Sequence, residues 1–342
     1  MSPSSRLLGL LLVVGGFTQC SQAVLLRELL AAFQGVELAL GAFYGSWLAW
    51  IGLGGALATR LSHRPHHQHL LQGGVMALPL AVLTGILLLR FARFLLQVPE
   101  SEFIPLGSFL LLTATATLPG GLLLGMIFPA ACRLLVQFST NSGIVPSITS
   151  LYLVESLGAL MGGVLFTFLL VESLGSWVSF ALTATLMLLA NLFVLPNPQE
   201  RFPLRLLSAL LLLVFGLLAL PWPGQPLLAL LESRHFQMVH PGMLRVAGVE
   251  SRFGQVTLAQ LGKQFSLLHD GRLGESFPDP HRARLTAAYL LAQSPSPLRI
   301  LLLGGGGKRI AGRDAALSHP ATHSGGRGRH RPGHAATLVA RQ

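Results

Sequence analysis

Charge is what this sequence has least of. Of its 342 residues only 11% are Asp, Glu, Lys or Arg, while 51% are hydrophobic and the mean hydropathy is +0.62. An ordinary soluble domain carries about 25% charged residues, and here the apolar segments follow one another along the chain, which argues against one large water-soluble helical core. Cysteine is scarce as well. Cys20 and Cys132 both lie inside apolar segments, which excludes a disulfide framework and leaves two small buried hydrophobes. Acids are missing from the end of the chain: residues 308–342 hold seven Lys or Arg against Asp314 alone, leaving 17 basic and 12 acidic residues for the first 307. That tail has no aromatic residue between its charges, which argues against single-stranded nucleic acid as a partner.

Long apolar runs are what the chain has instead. Leu7–Gly16, Leu106–Thr117 and Leu204–Leu220 read as parts of membrane spans. Seven spans are expected at 7–26, 36–60, 71–95, 106–136, 147–170, 174–195 and 204–221, with eight as the alternative. Pro119 divides the fourth, which predicts a kink or two short helices. Arg6 before an apolar run imitates a signal peptide, but the run continues into Ala23–Phe33 and further spans follow. Glycines recur within the spans, Gly41, Gly45, Gly52, Gly54 and Gly55 in the second and Gly158, Gly162 and Gly163 in the fifth. Close helix packing explains them best.

The most basic short loop is RLSHRPHHQH, Arg60 to His69. The positive-inside rule places it and the N-terminus in the cytoplasm, with Arg133, Arg201 and Arg205, and places Glu100, Glu102 and Glu172 outside. Seven crossings would then leave the C-terminal part outside. A fourth segment that crosses twice, or a short segment that does not cross, would return it to the cytoplasm. The expectation is a multi-pass protein of the inner (cell) membrane, in contact with the lipid bilayer, with a cytoplasmic soluble part. PWPGQP, Pro221 to Pro226, ends the membrane domain, residues 1–222.

After it the texture changes. Val256, Leu258, Phe265 and Leu267 sit at period two on either side of a turn, which predicts a β-hairpin. DPHRARLTAAYLLAQ reads as a helix of about three turns. Ile300 to Gly304 reads as a buried strand running into the glycine turn Gly304–Gly307. A glycine-rich turn lets backbone approach a ligand, and a helix N-terminus after it favours negative charge. Here Lys308 and Arg309 stand at the helix start and Gly312 breaks it.

Other candidate groups have bland readings. His63, His66, His67 and His69 have metal-ligand density, but the loop has no carboxylate or Cys, and Pro65 interrupts any helical face. A solvated basic loop fits better, so no metal site is assigned. Arg27, Glu28 and Glu155 lie in or beside spans, where ionisable groups are functional candidates. LVESLG occurs at Leu153–Gly158 and at Leu170–Gly175. The offset corresponds to about 25 Å of helix, which would put Glu155 and Glu172 near opposite faces of the bilayer.

Three stretches resemble the polyamine aminopropyltransferases, the spermidine synthase family: ESRFGQVTL (Glu250–Leu258), DGRLGESFPDP (Asp270–Pro280) and LRILLLGGGG (Leu298–Gly307). GFTQCSQAVLLREL (Gly16–Leu29), LPGGLLLGMIFPAACRLL (Leu118–Leu135) and LYLVESLGALMGG (Leu151–Gly163) are similar to the subgroup with multi-span N-terminal regions. The resemblance implies a partial aminopropyltransferase-like domain over 226–307: a β-hairpin region, then the incomplete start of an α/β Rossmann-like methyltransferase-type domain. It also implies transfer of an aminopropyl group from decarboxylated S-adenosylmethionine to putrescine. Gln255 matches the glutamine that helps bind the nucleoside, Gly304, Gly305 and Gly306 match the turn that approaches it, and Asp270 matches the acid of the family's DG turn.

The departures are specific. Gly307 and Lys308 stand where the family has an Asp, Gly274–Glu275 replace the usual Gln region, and HRARLTAAY carries His281 without the expected acid. Attack on a sulfonium donor needs a neutral amine, hence a carboxylate to accept its proton and others to hold the diamine. Residues 308–342 offer Asp314 alone, so no catalytic residue is assigned and the chain is expected to be an inactive, truncated relative. Six Arg, four His and five Gly crowd those 35 residues. A reading-frame change would produce such a tail, and natural disorder is the alternative. A strand at 300–303 without neighbours would expose its apolar side chains to the membrane, a chaperone or a second copy, so self-association is expected. A transporter or membrane scaffold with a regulatory soluble part is the alternative function.

Overall fold

The computed structural model describes residues 3–33, 37–60, 67–98, 102, 104–140, 148–194, 202–222, 224–293, 301–303 and 339–341. The chain divides into two compact units, one of residues 1–257 with 269–272 and one of 258–268 with 273–342.

The first unit is a helix bundle. Helices α1 (Pro3–Ala32), α2 (Leu38–Arg60), α3 (His67–Arg90), the short α4 (Ala92–Leu96), α5 (Leu106–Thr140), α6 (Ile148–Leu165), α7 (Val171–Val194), α8 (Phe202–Ala219) and α9 (Gly224–Val239) follow in order. Among the described residues, five helices are long and apolar enough to cross a membrane: Pro3–Ala32, Leu38–Arg60, Gln68–Arg90, Leu106–Phe138 and Ile148–Phe193. A sixth counts if Leu206–Ala219 and Gly224–Val239, bent by 77°, are taken together. By itself α9 has 16 residues, about 24 Å of helix, short of a ~30 Å hydrocarbon core. We read it as lying beyond the spans.

The fourth span does not split at proline. Pro119 and Pro129 both lie inside one 35-residue helix, α5. Each removes a backbone donor, and polar side chains crowd the turn before Pro119: the Trp50 indole N–H donates to the Ala114 carbonyl at 2.9 Å, and the Thr117 hydroxyl to the Thr113 carbonyl at 2.9 Å. The first bond pins α5 to α2 beside the proline, while the carbonyl that Pro119 leaves without its helical donor is that of Thr115.

The longest apolar segment breaks elsewhere. Ile148–Phe193 has 46 residues, about 69 Å of helix, more than twice the hydrocarbon core. A π-helical turn at Phe166–Leu170 joins α6 to α7, and Gly175, at φ 79° and ψ 169°, is non-helical. The two halves run in opposite directions along α1. Gly158 meets Leu12 and Gly162 meets Gly16, so α6 is parallel to α1, whereas Phe17 packs on Phe180 while Ser176 lies at the Arg27 end.

Glycines fit where helices touch. A Cβ on Gly15 would overlap the Glu155 carbonyl, one on Gly158 the Leu12 carbonyl, and one on Gly162 would lie 2.6 Å from the Gly16 Cα. Between α2 and α5, Gly54 faces Leu122 and Gly125 faces Ile51 in the same manner. The seams thus lie within the stretches Gly16–Leu29, Leu118–Leu135 and Leu151–Gly163 or beside them.

Strands β1 (Leu244–Ser251), β2 (Gly254–Leu261), β3 (Gln264–His269) and β4 (Arg272–Phe277) form one sheet in the order β1-β2-β3-β4. Two-residue connections make it an antiparallel meander. The expected hairpin is therefore the middle of a larger sheet. Gly248 and Gly274 weaken the alternation of the outer strands, which is why they escape a reading by period. The facing also differs from expectation: Thr257, Ala259, Ser266 and Leu268 are buried, whereas Val256, Leu258, Phe265 and Leu267 are half-buried. Phe265 stacks on Phe277 at 5.9 Å while Ser266 hydrogen-bonds Ser276 at 3.0 Å, so each face has its own contacts.

Helix α10 (Pro280–Ala292) follows, within the expected helix. Strand β5 (Leu301–Leu303) pairs in parallel with β6 (Val339–Arg341), Leu302 opposite Ala340. Among the described residues it has one neighbour, where the sequence reading expected none. Ile300, the turn Gly304–Gly307, residues 308–338 and the loop histidines His63 and His66 lie outside the described residues.

Candidate functional site

Charged, polar and aromatic side chains from five elements of the first unit gather at the C-terminal end of α1. Arg27 and Glu28 come from α1, Arg90 from the end of α3, Ser176 and Trp177 from the start of α7 beyond its break, Glu232 and His235 from α9, and Arg245 and Glu250 from β1. Membrane helices leave their last carbonyls and first amides at such ends, where charges of the right sign are favourable.

Glu250 is the hub. Its Oε2 accepts the Ser176 N–H at 2.8 Å and the Ser176 hydroxyl, and lies 3.8 Å from the Arg27 guanidinium. A carboxylate thus caps the helix that begins after Gly175, where the macrodipole favours it. Arg27 also donates to the Ser251 carbonyl at 2.9 Å, so it grips strand β1 by side chain and backbone.

Arg90 is the second node. Its Nε donates to Glu28 Oε2 at 3.0 Å, and its guanidinium lies 4.5 Å from the centroid of the Trp177 ring. The two side chains are 12% and 14% exposed, so the pair is largely withdrawn from water and neither member can lose the other cheaply. The Arg90 carbonyl, at the end of α3, accepts a hydrogen bond from His235 Nε2 at 2.8 Å. Glu232 pairs with Arg245 at 2.8 Å. Arg93 donates to the Ala32 carbonyl at 3.1 Å, closing the end of α1.

Burial tunes the α9 members in opposite senses. It raises the Glu232 carboxyl above the ordinary carboxylate range, partly offset by Arg245 and Arg90. It lowers the His235 imidazole below its usual value, partly offset by the bond to the Arg90 carbonyl. The imidazole therefore stays neutral, as a donor to a carbonyl can.

The DG turn lies in the same unit. Asp270 at φ 47° and Gly271 at φ 75° form the two-residue link from β3 to β4, the geometry that an Asp-Gly pair adopts most readily. The Asp270 carboxylate accepts the Gln255 N–H at 2.8 Å, and the Asp270 N–H donates to the Gln255 carbonyl at 2.9 Å. A Cβ on Gly271 would lie 3.0 Å from the Ala31 carbonyl. Gln255 and Asp270, singled out by resemblance, are thus brought together, and Asp270 stabilises a turn. Gly304, Gly305 and Gly306 lie outside the described residues.

The other candidates are dispersed. Glu172 lies 3.6 Å from Arg252, both half exposed. Glu155 sits on α6, its backbone against Gly15. Among the described residues no group of three or more His, Cys, Asp or Glu could hold a metal.

Sequence reasoning singled out Arg27 and Glu28 but missed Arg90, Glu232, His235 and Arg245. An arginine ending the apolar run GILLLR was the available signal for Arg90. The pairings span 62 residues for Glu28–Arg90 and 74 for Ser176–Glu250, distances over which no local pattern operates. No family model matches the chain, and no curated protein or solved structure is significantly similar to it.

Proposed function

We propose that this chain is a multi-pass membrane protein of aminopropyltransferase type that seats strand β1, where the transferase-like stretch begins, on a charged cluster at one end of its helix bundle. In this reading the bundle crosses the membrane seven times: α1, α2, α3, α5, α6 and α7, with Gly175 as the reversal between the last two, then α8. One observation carries the proposal. Glu250, the first residue of the stretch that resembles the transferases, is held by Arg27, from a stretch that resembles their membrane-bound subgroup, and by the first N–H after the α7 break. Sequence pieces likened separately to one family meet in space.

The transferase part of the reading rests on resemblance: Gln255 with Gly304, Gly305 and Gly306 for the nucleoside of decarboxylated S-adenosylmethionine, and putrescine as acceptor. Geometry adds a restriction. The described acids nearest the seated strand are engaged, Glu28 by Arg90, Glu232 by Arg245, Glu250 by Arg27 and Ser176, and Asp270 by the Gln255 N–H. A diamine dication would have to displace an arginine from Glu28, Glu232 and Glu250 and a backbone N–H from Asp270. The cluster is a seat for the strand and no acceptor pocket.

The test uses the full chain in lipid nanodiscs, titrated calorimetrically with decarboxylated S-adenosylmethionine and assayed for transfer to putrescine. We expect saturable donor binding, weakened by Gln255→Ala, without turnover. Absence of donor binding would overturn the transferase-type reading. Turnover would overturn the account of the acids as fully engaged.

A further inference from the structure

The bundle has two chemically different ends, and each helix can be assigned its direction between them. Glu28 meets Arg90 and Leu25 meets Gly85, so α1 and α3 run in parallel. Ser46 meets Thr117 and Gly54 meets Gly125, so α2 and α5 run in parallel. Gly85 meets Ala116 and Gly74 meets Ile127, so α3 and α5 are antiparallel. One end therefore collects the C-termini of α1 and α3, the start of α7 beyond Gly175 and, through Arg27 and Ser176, the Glu250 strand. The opposite end collects the start of α1, the end of α2 at Arg60 and the start of α3 at His67.

Charges near the span termini divide unevenly between these ends. Arg6, Arg60, Arg64, Arg133, Arg201 and Arg205 belong in sequence to the end without the strand; Arg27, Arg90 and Arg93 belong to the end with it. Arginine and lysine in short loops set orientation, and acids contribute little. Of the three cations at the strand end, Arg27 and Arg90 are held in ion pairs.

We propose that the seated strand stands on the non-cytoplasmic face of the membrane, opposite the basic loop Arg60–His69. This reverses the cytoplasmic placement expected from sequence. It requires no transferase activity, so it stands or falls apart from the proposed function. Its consequence is chemical: the rim formed by β1 and the DG turn meets solutes of the outer compartment, and a donor made in the cytoplasm reaches it only after crossing the bilayer. Small cations and amines present outside are the ligand class available to such a rim without transport.

Single cysteines test this in the full chain. Cys20 and Cys132 are replaced by alanine, and either Phe253→Cys or Ser62→Cys is added. Phe253 lies between β1 and β2 and is 85% exposed; Ser62 lies in the basic loop. A membrane-impermeant maleimide is applied to right-side-out vesicles before and after permeabilisation. We expect Phe253→Cys to react before permeabilisation and Ser62→Cys only after it. The reverse pattern would overturn the orientation. Reaction of both positions, or of neither, before permeabilisation would overturn the assignment of the two sites to opposite ends.

Discussion

Helix α1 is held by two unlike contacts. Along its middle, Gly15 lies against the backbone of Glu155 and Ala159, and Gly16 against that of Gly158 and Gly162, all of α6; at its end, Arg27 and Glu28 enter an ionic cluster with Arg90 and Glu250. In lipid the hydrophobic effect does not press helices together. The glycine seam gains dispersion contacts by leaving out side chains, and it fails when an atom is added. The charged end gains by mutual compensation, and it fails when an atom group is removed. The same helix should therefore respond oppositely to large and small substitutions at its two contacts.

The largest effect is expected at the charged end. Arg90→Met removes the partner of a Glu28 carboxylate that is only 14% exposed, which should destabilise the folded protein by about 3–5 kcal/mol. Unfolding by mixed-micelle titration measures it. The double variant Arg90→Met with Glu28→Gln should recover part of the loss, because no unpaired charge remains. If the double variant is as unstable as the single, the pair is not compensating and the comparison collapses.

At the seam, Gly158→Val places a branched Cβ where the Leu12 carbonyl stands. Overpacking of this kind costs about 1–3 kcal/mol, and more if α6 cannot move away. The same titration reads it, and Gly162→Val should behave alike. A neutral result would mean that α6 is not held against α1.

The seam was largely legible and the cluster was not, for a physical reason. Gly158, Gly162 and Gly163 recur at helical spacing within a long apolar run, and both length and spacing are local properties. The same holds for the DG turn, where Asp270 and Gly271 adopt the positive φ that their residue types favour. Proline misled at α5, because packing holds the helix together across Pro119: the next two residues, Gly120 and Gly121, lie against Trp47, Val82 and Trp50. Arg90 with Glu28 is a contact between distant segments, and Arg245 with Glu232 depends on the angle at which β1 leaves α9. Each arginine alone has the ordinary look of a charge at an element's end. Glu250 entered only as the first residue of the family-like stretch, since nothing near it announces the helix start that it caps.

Titration sharpens the contrast at intermediate size. Because burial lowers His235 below its usual pKa of 6.5, the unfolded chain takes up the proton first on acidification. His235 therefore contributes stability above about 6.5 that is lost as pH falls through its folded value, with a slope of at most about 1.4 kcal/mol per pH unit. Glu232, raised by burial, works in the other sense: its contribution is present below the ordinary carboxylate range and lost as pH rises through its folded value. His235→Gln should flatten the loss of stability below pH 6.5, measured by thermal unfolding across a pH series. An unchanged profile would mean that the imidazole is not held neutral.

The smallest effect comes from glycines that touch nothing. Gly41, Gly45 and Gly52 lie on α2 with, among the described residues, no neighbouring atom within 4 Å of an added Cβ, so the steric argument that condemns Gly158→Val does not apply to them. A helical glycine costs roughly 0.5–1 kcal/mol relative to alanine through backbone entropy. Gly45→Ala should therefore stabilise the protein by about that amount, visible as a small rise in the midpoint of the same titration. A loss instead of a gain would show that the outward face of α2 is occupied in the membrane. Its glycines would then belong to a seam of the kind that Gly15 and Gly158 make inside the bundle.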